Sequence, residues 1–288
     1  MKRYIFALAL LINTFTAFSQ QETFKFATYN FRYDNPKDTG NLWVDRREIM
    51  TRLITKYGFD IFCSQEAKAN QIKDLIDRMP QYEWAGIDKQ GNGTDEFCAI
   101  FYNKTRFELL DKGHFWLSET PDVPSKGWDA KYKRVCSWVF IKDLKTQHKL
   151  YVFDTHFDHK GMLAQTNSAK LIIKKIAEVM QKYPAILCGD FNFDRTNPNY
   201  QVLAKSGILK DAVEVAKKVK SSDGSYNGFD INSRPESPID HIFISGEQLG
   251  IAQYSIIKDN YNGKLPSDHY PVLTEMFFNT DTTYKSKK

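Results

Sequence analysis

Nine short apolar runs of strand length set the strongest constraint on this chain, and six of them start or finish beside a residue that binds hard metal ions or moves protons. "TFKFATYN" (23–30) alternates and ends on Asn30, and "DIFCSQE" (60–66) ends on Glu66. "KLYVFDTHF" (149–157) carries His156, and "AILCGDF" (185–191) reaches Asp190 just before Asn192. "PIDHIFIS" (238–245) opens around Asp240, and "YPVLTEMFF" (270–278) follows Asp268 and His269. "EFCAIFYN" (96–103), "FELLDKG" (107–113) and "RVCSWVFIKD" (134–143) complete the set. As a set they are rich in β-branched and aromatic residues, which suits strands.

Helical stripes sit between some of these runs. Ile49, Met50, Leu53, Ile54 and Tyr57 recur with a 3.6-residue period over 46–57, and Ile72, Leu75, Ile76 and Met79 do so over 70–79. A longer helix is predicted over 163–182, where Pro184 blocks continuation, and another near 198–206. Strand runs outnumber helical stripes about two to one, so two packed sheets with helices outside them fit best. The segment 113–133 has no clear period and carries Trp116 and Trp128, which reads as a functional loop. Those two rings are expected to wall a cleft, with membrane contact as the alternative.

In an extended chain, alternate side chains share a face. Asp190, Asn192 and Asp194 therefore share one face while Phe191 and Phe193 anchor the other, and Asp154, His156 and Asp158 point one way. Each candidate also has a plain structural use. Asn30 suits a turn, Glu66 the first turn of a following helix, and His156 a satisfied core position. Asp240 suits a strand acid bonded to backbone amides, and "PSDHYPV" a proline-bounded turn. What outweighs these uses is the joint occurrence, each residue after or before a strand. Glu, Asp and Asn supply oxygen ligands for Mg²⁺, with Mn²⁺ or Ca²⁺ as alternatives, and His exchanges protons near neutral pH. Metal-assisted attack of water on phosphate needs both functions. The chain has no HExxH or CxxC spacing, which argues against a zinc site.

The first residues, "MKRYIFALALLINTFTAFSQQE", combine Lys2 and Arg3, an apolar stretch and an Ala17-x-Ser19 site. This predicts a signal peptide over 1–19, an exported (periplasmic or extracellular) protein and a single domain over 20–288. The apolar stretch is shorter than the roughly 20 residues a membrane span needs, and no transmembrane segment is expected. Losing Lys2 and Arg3 lowers the formal charge from +5 to +3. That weak excess does not favour nucleic acid as a partner, although clustering matters more than the total. The chain is taken as a monomer. Cys63, Cys98, Cys136 and Cys188 all lie inside apolar runs, so four buried thiols are expected, with one disulfide between neighbouring strands as the alternative.

The ordered series "TYN", "SQE", "THFDH", "GDFN", "IDHIF" and "SDHYPV" resembles the endonuclease/exonuclease/phosphatase superfamily over residues 23 to 278. That resemblance implies an α/β four-layer sandwich of two packed mixed β-sheets flanked by helices. It implies Glu66 as the main metal ligand, assisted by Asn30 and Asp268. Asp190 would orient or deprotonate the attacking water, Asn192 would hold the phosphate and His156 would stabilise its oxygens. His269, paired with Asp240, would transfer a proton or stabilise phosphate. Within an exported bacterial branch carrying "FWLSETPDVPS", "RVCSW" and "THFDHKG", Arg134 would point at phosphate, unless it is a surface arginine of "KYKR". Glu96 is a weaker candidate, and Gln165 stands where that branch often has Arg, which leaves a phosphate contact there in doubt. The implied activity is metal-dependent hydrolysis of a phosphodiester or phosphomonoester, a nuclease included. The alternatives are a sphingomyelinase-like phospholipid phosphodiesterase and a non-catalytic phosphate-ligand binder on the same scaffold.

Overall fold

The alternation along each strand decides where its side chains go, and in this computed structural model it divides the protein into layers. The structure describes residues 21–180 and 182–279, so the expected signal peptide lies outside the described residues. Along the chain run β1 (Thr23–Asn30), α1 (Trp43–Tyr57), β2 (Ile61–Ala67), α2 (Ala69–Arg78), β3 (Tyr82–Asp88), β4 (Phe97–Asn103) and β5 (Phe107–Trp116). There follow β6 (Val135–Asp143), β7 (Lys149–His156), α3 (Met162–Val179), β8 (Ala185–Asp190), α4 (Pro198–Ala204) and β9 (Leu209–Asp211). The last elements are α5 (Ala212–Val215), β10 (Asp240–Ser245), β11 (Leu249–Ile256) and β12 (Val272–Phe278).

Two six-stranded sheets form, in the orders β11-β12-β1-β2-β4-β3 and β5-β6-β7-β8-β10-β9. Each is mixed, with one parallel pair near its middle, β1–β2 and β7–β8 respectively. One face of each sheet packs on the other sheet through residues such as Phe26, Ile61, Val152, Ile186 and Ile242. The opposite faces carry the helices. Met50 and Leu53 of α1 and Leu75 of α2 cover the first sheet, and Ile172 and Ile176 of α3 cover the second. The four-layer α/β sandwich is therefore the observed fold. Each fully buried Leu, Ile or Phe contributes roughly 1.5–3 kcal/mol of transfer free energy. All four cysteines are free and buried. Burial pushes all four thiols above their usual range.

Three strands escape the sequence pattern: β3, β9 and β11. β3 and β9 are edge strands, and β9 has only three residues. β5 extends to Trp116, four residues into the stretch 113–133 read as loop.

The parallel pairs fix the site. The C-terminal ends of β1, β2, β7 and β8 emerge on one side of the sandwich, with the entries to β10 and β12 beside them. Along the inter-sheet face, Leu150 and Val152 lead to Asp154 and His156, and Ile186 and Cys188 lead to Asp190. The apolar layer thus gives way to polar side chains at its rim.

Candidate active site

Asn30, His156 and Asp190 hold the last inter-sheet positions of β1, β7 and β8, and Asp240 opens β10 directly opposite Asp190. Gly189 allows β7 and β8 to close tightly there. Its φ is 148°, and a Cβ would collide with the Thr155 carbonyl. Glu66 has the wrong parity for this cluster, since Gln65 takes the inter-sheet position. A register irregularity between Ser64 and Ala67, with a left-handed φ of 65° at Glu66, re-aims its side chain. Asn192 is likewise left-handed, at φ 55°, and its amide donates to the Phe157 carbonyl at 3.0 Å.

Asp190 is the centre of the arrangement. The Asn30 amide donates both to Asp190 Oδ2 at 3.0 Å and to Glu66 Oε1 at 3.1 Å. His156 Nε2 lies 3.4 Å and His269 Nε2 3.8 Å from the same Asp190 oxygen. His269 Nδ1 meets Asp240 Oδ2 at 2.8 Å, across 29 positions of sequence. Asp268 forms a long ion pair with Arg32, Nε to Oδ2 at 3.8 Å. Ser267 ties this loop to β1 by donating to the Asn30 carbonyl at 2.6 Å. From α1, the buried Arg46 guanidinium donates to the carbonyls of Phe31, Arg32 and Pro266, which fixes the same two loops from below.

The two histidines are driven in opposite directions. Burial, then the nearby Arg134 and His269, holds His156 well below its ordinary pKa, so its ring is neutral. Burial also opposes a charge on His269, but the Asp240 carboxylate, their hydrogen bond and Asp190 outweigh it and hold the ring well above the ordinary value. Burial and Asp240 push the Asp190 carboxyl up to about 7, against the pull of His269. A carboxyl that titrates near neutrality between a neutral and a charged imidazole is equipped for proton exchange.

Residues 27–269, which span every candidate from Asn30 to His269, match the sequence profile of the endonuclease/exonuclease/phosphatase family. The chain belongs to that family. A mannosyl-6-phosphatase of Bacteroides thetaiotaomicron has a solved structure 38% identical to it, with a TM-score of 0.86 over 88% of this chain and 100% of that one. An endonuclease/exonuclease/phosphatase family protein of the same organism gives 38% and 0.86, covering 90% and 99%. Nocturnin of Xenopus laevis is 23% identical over 266 residues, covering 83% of this chain and 66% of that protein. Enzymes of the endonuclease/exonuclease/phosphatase family hydrolyse phosphoester bonds and generally depend on a divalent metal; this protein is a phosphoester hydrolase.

The donor set fits the family's metal. Glu66, His156 and Asp190 offer ligand atoms within 4.8 Å of one another, dominated by carboxylate oxygen. The set Asp190, Asp240 and His269 meets the same distance. Around them opens a cleft of about 540 Å³, lined also by Arg32, Tyr33, Lys89, Glu96, Tyr132, Arg134, Tyr226 and Asp268. Arg134 is buried in the cleft wall, not a surface arginine. Glu96, the weaker candidate, is one of the lining residues. It faces the cleft, pairs with Lys89 at 2.8 Å, and is pushed up by burial and by Glu66. Lys89, Tyr132 and Tyr226 lie on loops where no periodicity announces them.

Several expectations fail. Of the three residues expected to share a face, Asp154 and His156 do, with Asp154 deeper between the sheets accepting from Gln65, but Asp158 turns away to accept four backbone amides. Asp194 caps Thr196 instead of joining Asp190 and Asn192, because the left-handed Asn192 breaks the extended run. Neither tryptophan lines the cleft: Trp116 is buried and donates to the Lys89 carbonyl behind it. Gln165, where the sequence already leaves a phosphate contact in doubt, packs inside, donating to the Asp158 carbonyl and accepting from Asn199.

Proposed function

We propose that this protein hydrolyses a phosphate monoester by metal-assisted attack of water, with a small hydroxylated molecule as leaving group. The observation that carries the reading is one cleft that brings together Glu66, Asp268, His156, His269 and Asp190, with the Asn30 amide bonded to Asp190. Glu66 holds the metal, Mg²⁺ or Mn²⁺, with Asn30 and Asp268 assisting. When bound, the metal neutralises phosphate charge and acidifies water. Asp190 orients the attacking water and accepts its proton. Asn192, Arg134 and neutral His156 hold the phosphoryl oxygens, and His269, kept cationic by Asp240, donates to the oxygen on which charge develops.

The 38% identical mannosyl-6-phosphatase supports a monoester on a sugar. The charge of the cleft supports it too. Of its lysines and arginines, Arg32 is held by Asp38 and Lys89 by Glu96, each at 2.8 Å, which leaves Arg134, paired only loosely with Asp158 at 3.9 Å, for a single phosphate. Export rests on the amino-terminal charge, apolar stretch and Ala17-x-Ser19 site.

The test is a screen with and without EDTA against p-nitrophenyl phosphate, bis-p-nitrophenyl phosphate, sugar phosphates, DNA, RNA and sphingomyelin. Monoesters should be turned over, only with metal, and sugar phosphates best. Turnover confined to diesters would replace this reading with a phosphodiesterase.

A further inference from the structure

The catalytic groups occupy one part of the cleft. Lys89 and Glu96 adjoin them, sharing a small recess with Glu66, Arg134 and His156, and Tyr132 lines the same cleft; the chemistry above gives none of these three a role. Tyr132 is 42% exposed, a cost for a large aromatic, yet its backbone is fixed. The N–H groups of Lys131 and Tyr132 both donate to Asp158 Oδ2 at 3.0 Å, and the ring stacks on His159 with centroids 5.8 Å apart. Asp158 lies two positions beyond His156, so the ring is held in register with the phosphate site. Lys89 Nζ sits 5.4 Å from the ring centroid, 2.8 Å from Glu96 Oε2 and 3.4 Å from Asp95 Oδ1, and Lys131 Nζ and the Arg134 guanidinium lie 5.1 and 5.9 Å from the same centroid.

A partly exposed ring on a fixed backbone, beside a lysine ion-paired to Glu96 and Asp95, has a definite chemical complement. The Glu96 carboxylate and the Lys89 ammonium side by side offer an acceptor and a donor, which matches adjacent hydroxyl groups. The same carboxylate repels a second phosphate. The aromatic face packs against the C–H face of a saturated ring. Such a mixture of one apolar surface and a few placed polar groups is how small-molecule pockets set orientation.

We infer that Tyr132 and the Lys89–Glu96 pair form a leaving-group subsite for a polyhydroxylated ring, a hexose esterified on an exocyclic hydroxyl. The inference rests on the monoesterase reading above and adds the residues that choose its substrate.

The test compares kcat/KM for hexose 6-phosphates and for methyl phosphate, which has the same reacting group and no ring. Measurements on wild type, Tyr132→Ala, Tyr132→Phe and Glu96→Gln are made with circular dichroism on each. Wild type should prefer the hexose esters. Tyr132→Ala and Glu96→Gln should each reduce that preference at least about 10-fold, mainly through KM, and Tyr132→Phe should keep it. Loss of a merely structural residue would lower both substrates together and leave the ratio unchanged, which would overturn the subsite. Wild-type preference for methyl phosphate or for a dinucleotide would also overturn it while the hydrolase reading stood. Absence of turnover on every phosphate ester would remove that reading and the subsite with it.

Discussion

Asp154 and Asp158 lie four positions apart, the first inside β7 and the second on the loop that leaves it, and the protein treats them in opposite ways. Between the sheets, Asp154 has Gln65 and one backbone amide for company, and one of its oxygens has no partner. Burial dominates and drives its carboxyl well above the usual range. At the rim, burial also pushes Asp158 up, but the amides of Gly161, Lys160, Lys131 and Tyr132 outweigh it and bring the carboxyl down to about 2. Depth alone does not set the charge of an acid here; the supply of N–H donors does. Donors become available where strands end and backbone is freed from the ladder. This is why the functional acids of the protein gather at the rim, where charge can be held, and the interior keeps a neutral carboxyl and four thiols.

The largest effect should come from His269 at the rim. His269→Ala should lower kcat at least about 10²-fold, the scale of a general acid–base group. Asp240→Asn should cost less, since the ring remains. Their losses should be non-additive, because the pair acts as a unit. A double-mutant cycle on kcat reads this directly, and additive losses would mean that the 2.8 Å contact only supports the fold.

Asp158→Asn should destabilise by about 1–2 kcal/mol near pH 7, since hydrogen bonds to a charged acceptor are the stronger kind. A carboxyl whose pKa falls on folding adds stability that is complete above its unfolded pKa of about 3.9 and is lost as pH falls towards 2. The gap between wild type and variant should therefore narrow between pH 4 and about 2 in urea titrations. A gap that stays constant across that range would mean that the four amides do not hold a charged Asp158.

Asp154→Asn should show the smallest effect and the opposite slope. A carboxyl raised on folding adds stability that is complete below about 3.9 and is lost as pH rises through the folded pKa. Near pH 5 the variant should lie within about 1 kcal/mol of wild type, the worth of one net hydrogen bond. At alkaline pH the balance should move towards the variant. Movement the other way would show Asp154 to be ionised in the fold.

The same contrast explains what could be read in the sequence. Asn30, His156, Asp190 and Asp240 were legible because each continues a two-residue alternation to the end of an apolar run, and strand parity then dictates their common face. Glu66 was legible in place but not in direction, since its side chain is turned by a positive φ that no pattern encodes. Asp158 looked equivalent to His156 because parity was carried past the point where β7 ends. Tyr132 and Lys89 left no signal, as loops have no period to betray which side chain faces a cleft built by distant strands. β11 was missed because "LGIAQYSI" mixes Gly, Gln and Ser into its run.

The central claim is that this rim holds a divalent metal through Glu66 and uses it for phosphate-ester hydrolysis. Calorimetric titration of Mg²⁺ into EDTA-stripped wild type and Glu66→Gln, with turnover measured on the same samples, tests it most directly. Wild type should bind Mg²⁺ and regain turnover, and Glu66→Gln should bind at least about 10-fold more weakly while keeping its circular dichroism. Full turnover after exhaustive chelation, or equal Mg²⁺ binding by the two proteins, would contradict the account.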